Sequence, residues 1–448
     1  MEEIELKNIE FYEETEFKET EIGPLPKDWG VVRLGEIAEF ETGKRMKGGA
    51  LSNGEVLSIG GEHINDFGNI HLLKPKFISK DFFDKMIKGK VKDGDVIICK
   101  DGAKTGKIAY VNYVNLPSKL IAINEHVFII RSKNFKIIDN KFIFFYFFSD
   151  FGQNQINKAY HGLIGGITYQ NISNFFISLP LISEQKAIAA VLLAIQEAKE
   201  KTERVIEATK NLKKSLMKHL FTYGPVPLSD IDKVELKETE IGPLPTHWQV
   251  VRLEEIFDVK QGKQLSSKES KENKILKPFL RTSNVLWNKI ILSQISYMYF
   301  SEQEFEELKL KKGDILVCEG GDVGRTAIWK DEIKECSYQN HLHRLRAKNE
   351  NIKNYFFSYW MEYGILHKKL YLNDANRTTI PNLSSSRLKS FDIPLPPLPE
   401  QQKIAEILSS VDEKIQKEEE RKKALENLFK SMLHNLMTGK IRIKKMEV

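Results

Sequence analysis

The sequence predicts a protein of the α+β class, in which two homologous globular domains are separated by two long antiparallel, coiled-coil-like helices and related by a pseudo-twofold axis. Three observations lead to this prediction. A stretch of twenty residues occurs twice, the same short motifs follow each copy in the same order, and each series ends in a long segment without proline or glycine.

The duplicated stretch opens each domain. It reads KETEIGPLPKDWGVVRLGEI from Lys18 and KETEIGPLPTHWQVVRLEEI from Lys237, and sixteen of the twenty positions are identical. The copies begin 219 residues apart, far more than the roughly 20 to 50 residues of a solenoid or propeller unit. The repeat is therefore interpreted as a duplicated domain, and 448 residues are enough for two domains to bury a core each.

Further motifs continue the repeat inside each domain. KDGDVIICKDG (Lys92–Gly102) matches KKGDILVCEGG (Lys311–Gly321), and both predict a short apolar strand between two turns. Two more residues match at an offset of 215 residues, His126 with His341 and Arg131 with Arg346. The sequences between these motifs differ, so the two domains share a frame and diverge in the loops that it carries.

Each domain ends in a segment that predicts a helix of about 60 Å, at about 1.5 Å per residue. LPLISEQKAIAAVL from Leu179 matches LPPLPEQQKIAEIL from Leu395, with acidic residues in the first turn. Apolar residues then recur every three or four positions, which predicts a coiled-coil seam. The seam residues are Ile188, Val191, Ile195, Ala198, Val205, Leu212 and Leu216 in the first helix and Ile404, Ile407, Val411, Leu425, Leu428 and Met432 in the second.

Polar residues interrupt both seams, among them Thr202 and Thr209 in the first and Glu418 in the second. A single amphipathic helix packed on its own domain therefore remains an alternative. If the helices pair, the chain connectivity favours an antiparallel pair. The predicted segments are an N-terminal extension, expected to be solvated or loosely packed, then domain 1, helix 1, a connector with domain 2, helix 2 and a C-terminal tail: 1–17, 18–182, 183–223, 224–398, 399–440 and 441–448.

Composition places few limits on function. Lys and Arg exceed Asp and Glu by 68 to 62, which allows a polyanionic partner without requiring one. No apolar run is long enough to span a bilayer, and the acidic N-terminus does not resemble a signal peptide. The three cysteines, Cys99, Cys318 and Cys336, form no CxxC pair, so we expect buried thiols in a reducing cytoplasm.

Enzyme motifs are missing from the sequence. GAKTGK (Gly102–Lys107) is one residue too short for a phosphate loop and continues into Ile108 instead of Ser or Thr. His341 and His343 alternate on a predicted strand without a third metal-type ligand nearby, which favours a packed or surface pair over zinc. We therefore expect no catalytic residue and no metal site.

The order of these motifs resembles the specificity subunit of type I restriction-modification systems. PLPxxWxxxxLxEI, GD(I/V) and PLxxxEQxxIAxxL followed by a long helix, each occurring twice, cover about residues 18–440. The resemblance implies two target-recognition domains, each reading one half of a split double-stranded DNA site, joined by two antiparallel helices. It also implies that the helices dock two modification subunits, which bring S-adenosylmethionine to methylate adenine, and that ATP-using restriction subunits can join them, while this chain is not catalytic.

Residues able to contact phosphates or base edges are the candidate DNA-binding residues. They lie in polar or glycine-flanked loops of both domains: Lys44, Arg45, Lys47, His63, Lys100, Lys104, Lys107, Tyr160, His161, Lys263, Gln264, Lys268, Arg281, Asn284, Arg325, Asn376 and Arg377. For each of them an ordinary solvated side chain is the alternative. Four residues at the helix starts, Glu184, Gln185, Glu400 and Gln401, are candidates for docking the modification subunits, with helix capping as the alternative. A coiled-coil scaffold that presents two protein-binding modules is the second hypothesis for the whole chain.

Overall fold

The computed structural model describes residues 9–160, 166–265, 272–371 and 382–444. The chain divides into two compact units. The first unit consists of residues up to Thr202 together with residues from Arg421 onward, and the second unit consists of Glu203–Glu420. The division cuts both long helices, because each helix contributes one half to each unit.

The N-terminal half of the chain contains twelve strands and six helices in the described residues. The strands are β1 (Phe11–Glu13), β2 (Phe17–Lys18), β3 (Leu25–Pro26), β4 (Gly30–Arg33), β5 (Ala38–Thr42), β6 (Val56–Ile59), β7 (Phe77–Ile78), β8 (Val96–Cys99), β9 (Ile108–Tyr110), β10 (Ile121–Ile123), β11 (Val127–Ser132) and β12 (Phe176–Leu179). The helices are α1 (Leu34–Ile37), α2 (Lys80–Lys85), α3 (Asn140–Phe148), α4 (Asp150–Ala159), α5 (Tyr169–Asn174) and α6 (Ile182–Tyr223).

The C-terminal half has the corresponding elements in nearly the same order. Its strands are β13 (Leu236–Lys237), β14 (Leu244–Pro245), β15 (Gln249–Arg252), β16 (Phe257–Gln261), β17 (Ile275–Leu280), β18 (Val285–Leu286), β19 (Lys289–Ile290), β20 (Ser296–Phe300), β21 (Ile315–Cys318), β22 (Thr326–Ile328), β23 (Ser337–Tyr338), β24 (Leu342–Ala347), β25 (Asp392–Leu395) and β26 (Ile441–Ile443). Its helices are α7 (Leu253–Ile256), α8 (Glu302–Leu308), α9 (Asn354–Glu362), α10 (Ser385–Lys389) and α11 (Leu398–Met437).

Each unit is built on the same pair of sheets. The first unit has a four-stranded antiparallel sheet, β5-β11-β8-β9, and a three-stranded sheet, β10-β6-β7, in which β10 and β6 are parallel. The second unit repeats both sheets as β16-β24-β21-β22 and β23-β17-β20. The predicted α+β class and the duplicated domain are confirmed.

The repeated GD motif and the repeated arginine form one buried ion pair in each unit. In the first unit Nε and Nη2 of Arg131 each donate to one carboxylate oxygen of Asp95, at 2.7 Å. In the second unit Arg346 makes the same two-point contact with Asp314, at 2.7 and 2.6 Å. The bond to Asp95 raises the pKa of Arg131, as expected for a cation held by a buried carboxylate. These repeated residues therefore hold β11 and β24 to the start of the neighbouring strand.

Opposite ends of α6 and α11 meet in each unit. In the first unit Ile188 and Leu192 of α6 share a core with Leu433 and Leu436 of α11. In the second unit the C-terminal part of α6, including Leu220, shares a core with the N-terminal part of α11, including Ile404 and Leu408. The beginning of each helix therefore packs beside the end of the other, and the antiparallel pairing is confirmed.

The predicted seam is wrong at several positions. Leu212 and Leu428 are about half exposed, whereas Thr202 and Thr209, which interrupt the predicted seam, are buried. Each threonine hydroxyl donates to the carbonyl of the residue four positions earlier in α6. Because the hydroxyl is satisfied within its own helix, threonine can occupy a buried helix face without a partner across it.

The two ends of the described chain are joined by a small sheet, which corrects the expectation of a loosely packed N-terminal extension. Strand β1 pairs antiparallel with β26, with Tyr12 opposite Arg442. The buried Arg442 guanidinium contacts three carboxylates, of Glu14, Asp28 and Glu184, at 2.6–3.0 Å. Although burial opposes its charge, these bonds raise the pKa of Arg442. Residues 9–17 are therefore a structural part of the first unit.

Across the described ranges, no helix is both long and apolar enough to cross a membrane.

Candidate nucleic-acid interface

One edge of the four-stranded sheet in the first unit brings three loops together. Strand β11 is antiparallel to both neighbours, and its first residues face the last residues of β5 and β8. Phe128 lies opposite Thr42, and Val127 lies opposite Cys99. The loops after β5 and β8 and the loop before β11 therefore meet at the same edge.

The second unit repeats this edge. His343 of β24 lies opposite both Gln261, the last residue of β16, and Val317 near the end of β21. The loops after β16 and β21 and the loop before β24 therefore correspond to the three loops of the first unit.

Glycine allows two of these loops to cross at contact distance. A Cβ atom added to Gly43 would lie 1.9 Å from the carbonyl oxygen of Ile123. The equivalent atom on Gly262 would lie 2.3 Å from the carbonyl oxygen of Gln339. Any larger residue would force the loop after β5 away from the loop before β11, and the loop after β16 away from the loop before β24. The glycines therefore fix where the following side chains begin.

In the first unit the structure brings the predicted basic residues of two loops to this edge. Lys44, Arg45 and Lys47 follow Gly43 directly and are exposed. Lys100 follows β8, and its ammonium donates to the Thr42 hydroxyl at 3.5 Å, which joins the two loops. This edge therefore presents cations from separate segments of the sequence, as a phosphate-binding surface requires.

Lys104 and Lys107 continue the basic surface along the turn between β8 and β9. Lys104 is exposed, whereas Lys107 is half-buried and paired with Asp66. Hydrogen bonding and repulsion from Lys107 lower the pKa of Lys104, and the Lys107 ammonium lowers the pKa of the Asp66 carboxyl. Because Asp66 offsets the charge of Lys107, the exposed Lys104 is the better placed of the two to meet a phosphate.

In the second unit the predicted residues have different environments. Gln264 and Arg281 are exposed. Arg325 is half-buried and donates to the carbonyl of Thr282 at 3.1 Å. Lys263 is buried, and its ammonium lies 2.8 Å from Glu304. The exposed Gln264 and Arg281 are therefore better placed than Lys263 to reach a ligand.

Besides Lys263, two further predicted DNA contacts are buried, and both hold loops. His63 Nδ1 accepts from the backbone of Gly60 at 3.0 Å, and its exposed fraction is 2%. Asn284, at the equivalent position, accepts from the backbone of Arg281 at 2.8 Å and donates to the carbonyl oxygens of Ile291 and Gln294. Sequence shows that these side chains can bind bases, but it does not show that they are enclosed.

Five predicted contacts remain, and the structure describes only Tyr160 among them. Tyr160 is exposed at the end of α4. Four further predicted residues lie outside the described residues: His161, Lys268, Asn376 and Arg377. Two described residues further along the chain lie at the sheet edge, because Ile167 donates to the Lys100 carbonyl and Leu383 donates to the Glu319 carbonyl.

The four residues at the helix starts make contacts within their own units. Glu184 and Glu400 accept from the indole nitrogens of Trp29 and Trp248, at 3.2 and 2.8 Å. The structural role of these glutamates is to hold a buried tryptophan against the start of each long helix. The docking of a partner by the same side chains stays a prediction.

Gln185 and Gln401 are almost completely buried. Their side chains connect the long helices to neighbouring loops by hydrogen bonds. Gln185 accepts from the backbone of Asp139 and donates to two carbonyls, and Gln401 makes the same set of bonds with Lys353, Asn351 and Pro396.

Two functional candidates were missed by the sequence analysis. His126 and His341 lie in the loops before β11 and β24, at the candidate edge, and both are more than half exposed. Their match at an offset of 215 residues was the available signal, but it was used only to align the two domains.

All three cysteines are buried free thiols. Cys99 and Cys318 end equivalent strands, and burial raises the pKa of both thiols to about 11. Cys336 is also buried, and its thiol pKa is raised to about 12. Such thiols remain protonated and unreactive at neutral pH. Within the described residues, no group of three or more His, Cys, Asp and Glu could hold a metal ion.

The fold defines a class of protein with two copies of one domain, each with the same loop edge. The model of the type I restriction modification DNA specificity domain matches residues 26–209 and 245–427, one copy in each half. The chain therefore belongs to the family of type I restriction-modification specificity subunits, which supply DNA recognition and are not catalytic.

Curated relatives support this assignment over the whole length. The chain is 28% identical over 456 residues to the type I restriction enzyme MjaVIII specificity subunit of Methanocaldococcus jannaschii, with 98% of this chain and 99% of the relative covered. It is 23% identical over 456 residues to the MjaIX specificity subunit of the same organism, with the same coverage of both chains.

Solved structures share the fold. The S subunit of a type I restriction-modification system from M. genitalium is 18% identical, with a TM-score of 0.59 over 91% of this chain and 96% of that chain. A chain from a study of complex assembly and conformational transition of a type I R-M system is 23% identical, with a TM-score of 0.53 over 93% and 99%. The predicted family and the two-domain fold with connecting helices are confirmed.

Proposed function

We propose that the chain reads a bipartite site in double-stranded DNA, with one half-site bound by each recognition domain. The observation that supports this proposal is the repeated loop edge, where one frame carries different polar side chains in the two units. Lys44, Arg45 and Lys47 occupy the loop after the first sheet strand in one unit, and Gln264 follows Gly262 in the other. Arg, Lys and Gln recognise phosphates and base edges, so the divergence suits two different half-sites.

The two long helices are proposed to set the spacing of the half-sites and to dock two modification subunits. Helices of 42 and 40 residues are about 60 Å long, which suits half-sites about one helical turn of DNA, ~34 Å, or somewhat more apart. S-adenosylmethionine is expected in the modification subunits, ATP in restriction subunits that can join them, and neither in this chain. The assembly is expected to act in the cytoplasm.

The direct test expresses this chain with its modification subunit in cells without other adenine methylation and sequences the DNA for methylated adenine. We expect methylation at one discontinuous sequence with a fixed number of unread bases between its halves. Methylation of a continuous sequence, or none in an assembled complex, would contradict the proposal and favour a protein-binding scaffold.

The loop after Gly43 can be tested by neutralising its charge. The variant Lys44→Gln/Arg45→Gln/Lys47→Gln should bind all DNA sequences more weakly and show a smaller salt dependence, with the slope reduced by about one for each phosphate that is no longer neutralised. Fluorescence anisotropy at several salt concentrations measures both quantities. Lys92→Gln is the matched control, because Lys92 is exposed before the start of β8, at the opposite edge of the sheet. An unchanged slope in the triple variant would remove this loop from the interface.

A further inference from the structure

The polar residues that the two units share differ in burial. The Asp–Arg pairs, the Trp–Glu pairs and the glutamines at the helix starts are all engaged inside their units. His126 and His341 are also shared, yet 53% and 59% of their side chains are exposed. Packing explains the first group, but it does not explain why an exposed histidine recurs in loops that otherwise diverge.

The two histidines have the same backbone setting and the same kind of neighbour. The carbonyl of His126 accepts from the backbone of Lys100, and the carbonyl of His341 accepts from the backbone of Glu319, each at 2.9 Å. A carboxylate lies beside Nδ1 of each ring: Asp101 at 2.6 Å from His126 and Glu319 at 3.8 Å from His341. The carboxylate comes from a different sequence position in each unit, and only the Asp101 carboxylate lies within hydrogen-bonding distance of its ring.

We propose that His126 and His341 each donate a hydrogen bond from Nε2 to a DNA phosphate, an inference that rests on the proposed function. Two domains that read different bases share only the sugar-phosphate backbone of their ligands. A side chain that recurs at the same position is therefore suited to a backbone contact, and the diverged side chains around it are suited to base readout.

Protonation follows from the hydrogen-bond roles of the ring. At His126, Nδ1 can donate to Asp101 at 2.6 Å, and Nε2 can then donate to a phosphate only in the protonated imidazolium. At His341 the Glu319 carboxylate lies 3.8 Å from Nδ1, too far for a hydrogen bond, so Nε2 can donate in either protonation state. A phosphate then adds a second anion beside the ring, so DNA binding takes up protons and affinity should rise as the pH falls.

The charged neighbours determine the strength of this effect. Around His126 they are Asp101, Glu125, whose carboxylate lies 3.5 Å from Nε2, and Arg45, which lies 3.8 Å from Glu125, with Lys100 on the adjoining turn. Around His341 they are Glu319 and, bonded to that carboxylate, the neutral amide of Gln261. Glu125 is the carboxylate on the Nε2 side of His126, and Arg45 partly offsets its charge.

The test measures binding of the full-length chain to a labelled duplex of arbitrary sequence between about pH 6 and about pH 8. Wild type should bind more tightly at low pH. The variant His126→Gln/His341→Gln should lose about tenfold in affinity at the low end and lose most of the pH dependence. The variant His126→Arg/His341→Arg should keep the affinity but lose the pH dependence, because arginine stays charged.

The outcomes separate this inference from the proposed function. If the glutamine variant keeps wild-type affinity and pH dependence while Lys44→Gln/Arg45→Gln/Lys47→Gln loses affinity, the histidine contacts are wrong and DNA binding stands. If the wild-type chain binds no duplex, both the histidine contacts and the proposed DNA binding are wrong. Thermal unfolding of each variant identifies a folding defect, and the arginine variant supplies the answer if the glutamine variant does not fold.

Discussion

In each unit the recognition domain packs on the long helices, but the contact is apolar in the first unit and charged in the second. In the first unit Phe148, the last residue of α3, meets Phe429 of α11 with ring centroids 5.9 Å apart. In the second unit the corresponding last residue of α9 is Glu362, and it meets Lys213 of α6 at 2.9 Å. The same place in the fold is thus an aromatic contact in one unit and a buried ion pair in the other.

The polar contact is part of a network. Lys213 also lies 2.8 Å from Asp412 of α11, and Asp412 accepts from the Tyr359 hydroxyl at 2.9 Å. Asn288 donates to Glu362 from the recognition domain. Because hydrogen bonds are directional, this network defines both the position and the rotation of the helices beneath the domain.

The aromatic contact is less directional. Phe145 and Phe148 both face Phe429, and a cleft of about 830 Å³ lies beside them, lined in part by Phe429 and Leu433. Apolar packing stabilises many related geometries, so at this position the second domain is the more tightly oriented of the two. Elsewhere the first domain is also hydrogen-bonded to α6, because Gln196 donates to the Phe67 carbonyl and Asn69 donates to Glu200.

The largest effect is expected from breaking the polar network. Lys213→Met leaves Glu362 and Asp412 without their cation in a site where Glu362 is about one-tenth exposed. Loss of one partner of a buried pair costs about 3–5 kcal/mol. Urea unfolding of the full chain should show the loss in the transition of the second unit, and a change below about 1 kcal/mol would mean that the network is solvated.

The matched change in the first unit is Phe429→Ala, which should cost about 3 kcal/mol through reduced packing. Since the existing cleft lets neighbouring side chains relax, the value should lie at the lower end of the range for buried phenylalanine. The loss should be the same at every pH, in contrast to variants of the second unit. A pH-dependent loss would contradict the comparison.

A double variant sharpens the comparison by making the second unit apolar. Lys213→Met combined with Glu362→Met removes both charges of the closest pair, so it should recover about 2 kcal/mol relative to Lys213→Met alone. The same unfolding measurement gives the coupling energy. Strict additivity of the two single losses would show that the residues do not act as a pair.

The smallest expected effect is the pH dependence that Glu362 contributes to the stability of the second unit. Burial raises the pKa of Glu362 in spite of the nearby Lys213. A carboxyl group with a raised pKa in the folded state favours folding while it is protonated, and this contribution is lost as the pH rises through that pKa. The stability of wild type relative to Glu362→Gln should therefore increase, by about 1 kcal/mol, as the pH falls from neutral into the acidic range.

The sequence was informative about the frame and less so about individual environments. The repeat, the GD strands and the long helices follow from local patterns of apolar, glycine and acidic residues, and all are present in the structure. The buried state of His63, Lys263 and Asn284 depends on loops that pack from distant positions. Strand β1 was missed because its partner, β26, lies at the other end of the chain.

The candidate site shows the same limit. The sequence identified the basic loops, since charge and glycine spacing are local properties. It did not identify the edge where they meet, because that edge follows from the register of β11 with two strands.

The composition of the first unit has a consequence for synthesis. The second unit is one continuous segment, Glu203–Glu420, whereas the first unit also needs the residues from Arg421 onward. During translation the domain made first must therefore wait for the last part of the chain to leave the ribosome, and the domain made later can finish folding before it. Nascent chains should consequently expose the apolar surface that later receives Leu433 and Leu436, and chaperones would be expected to protect that surface until release.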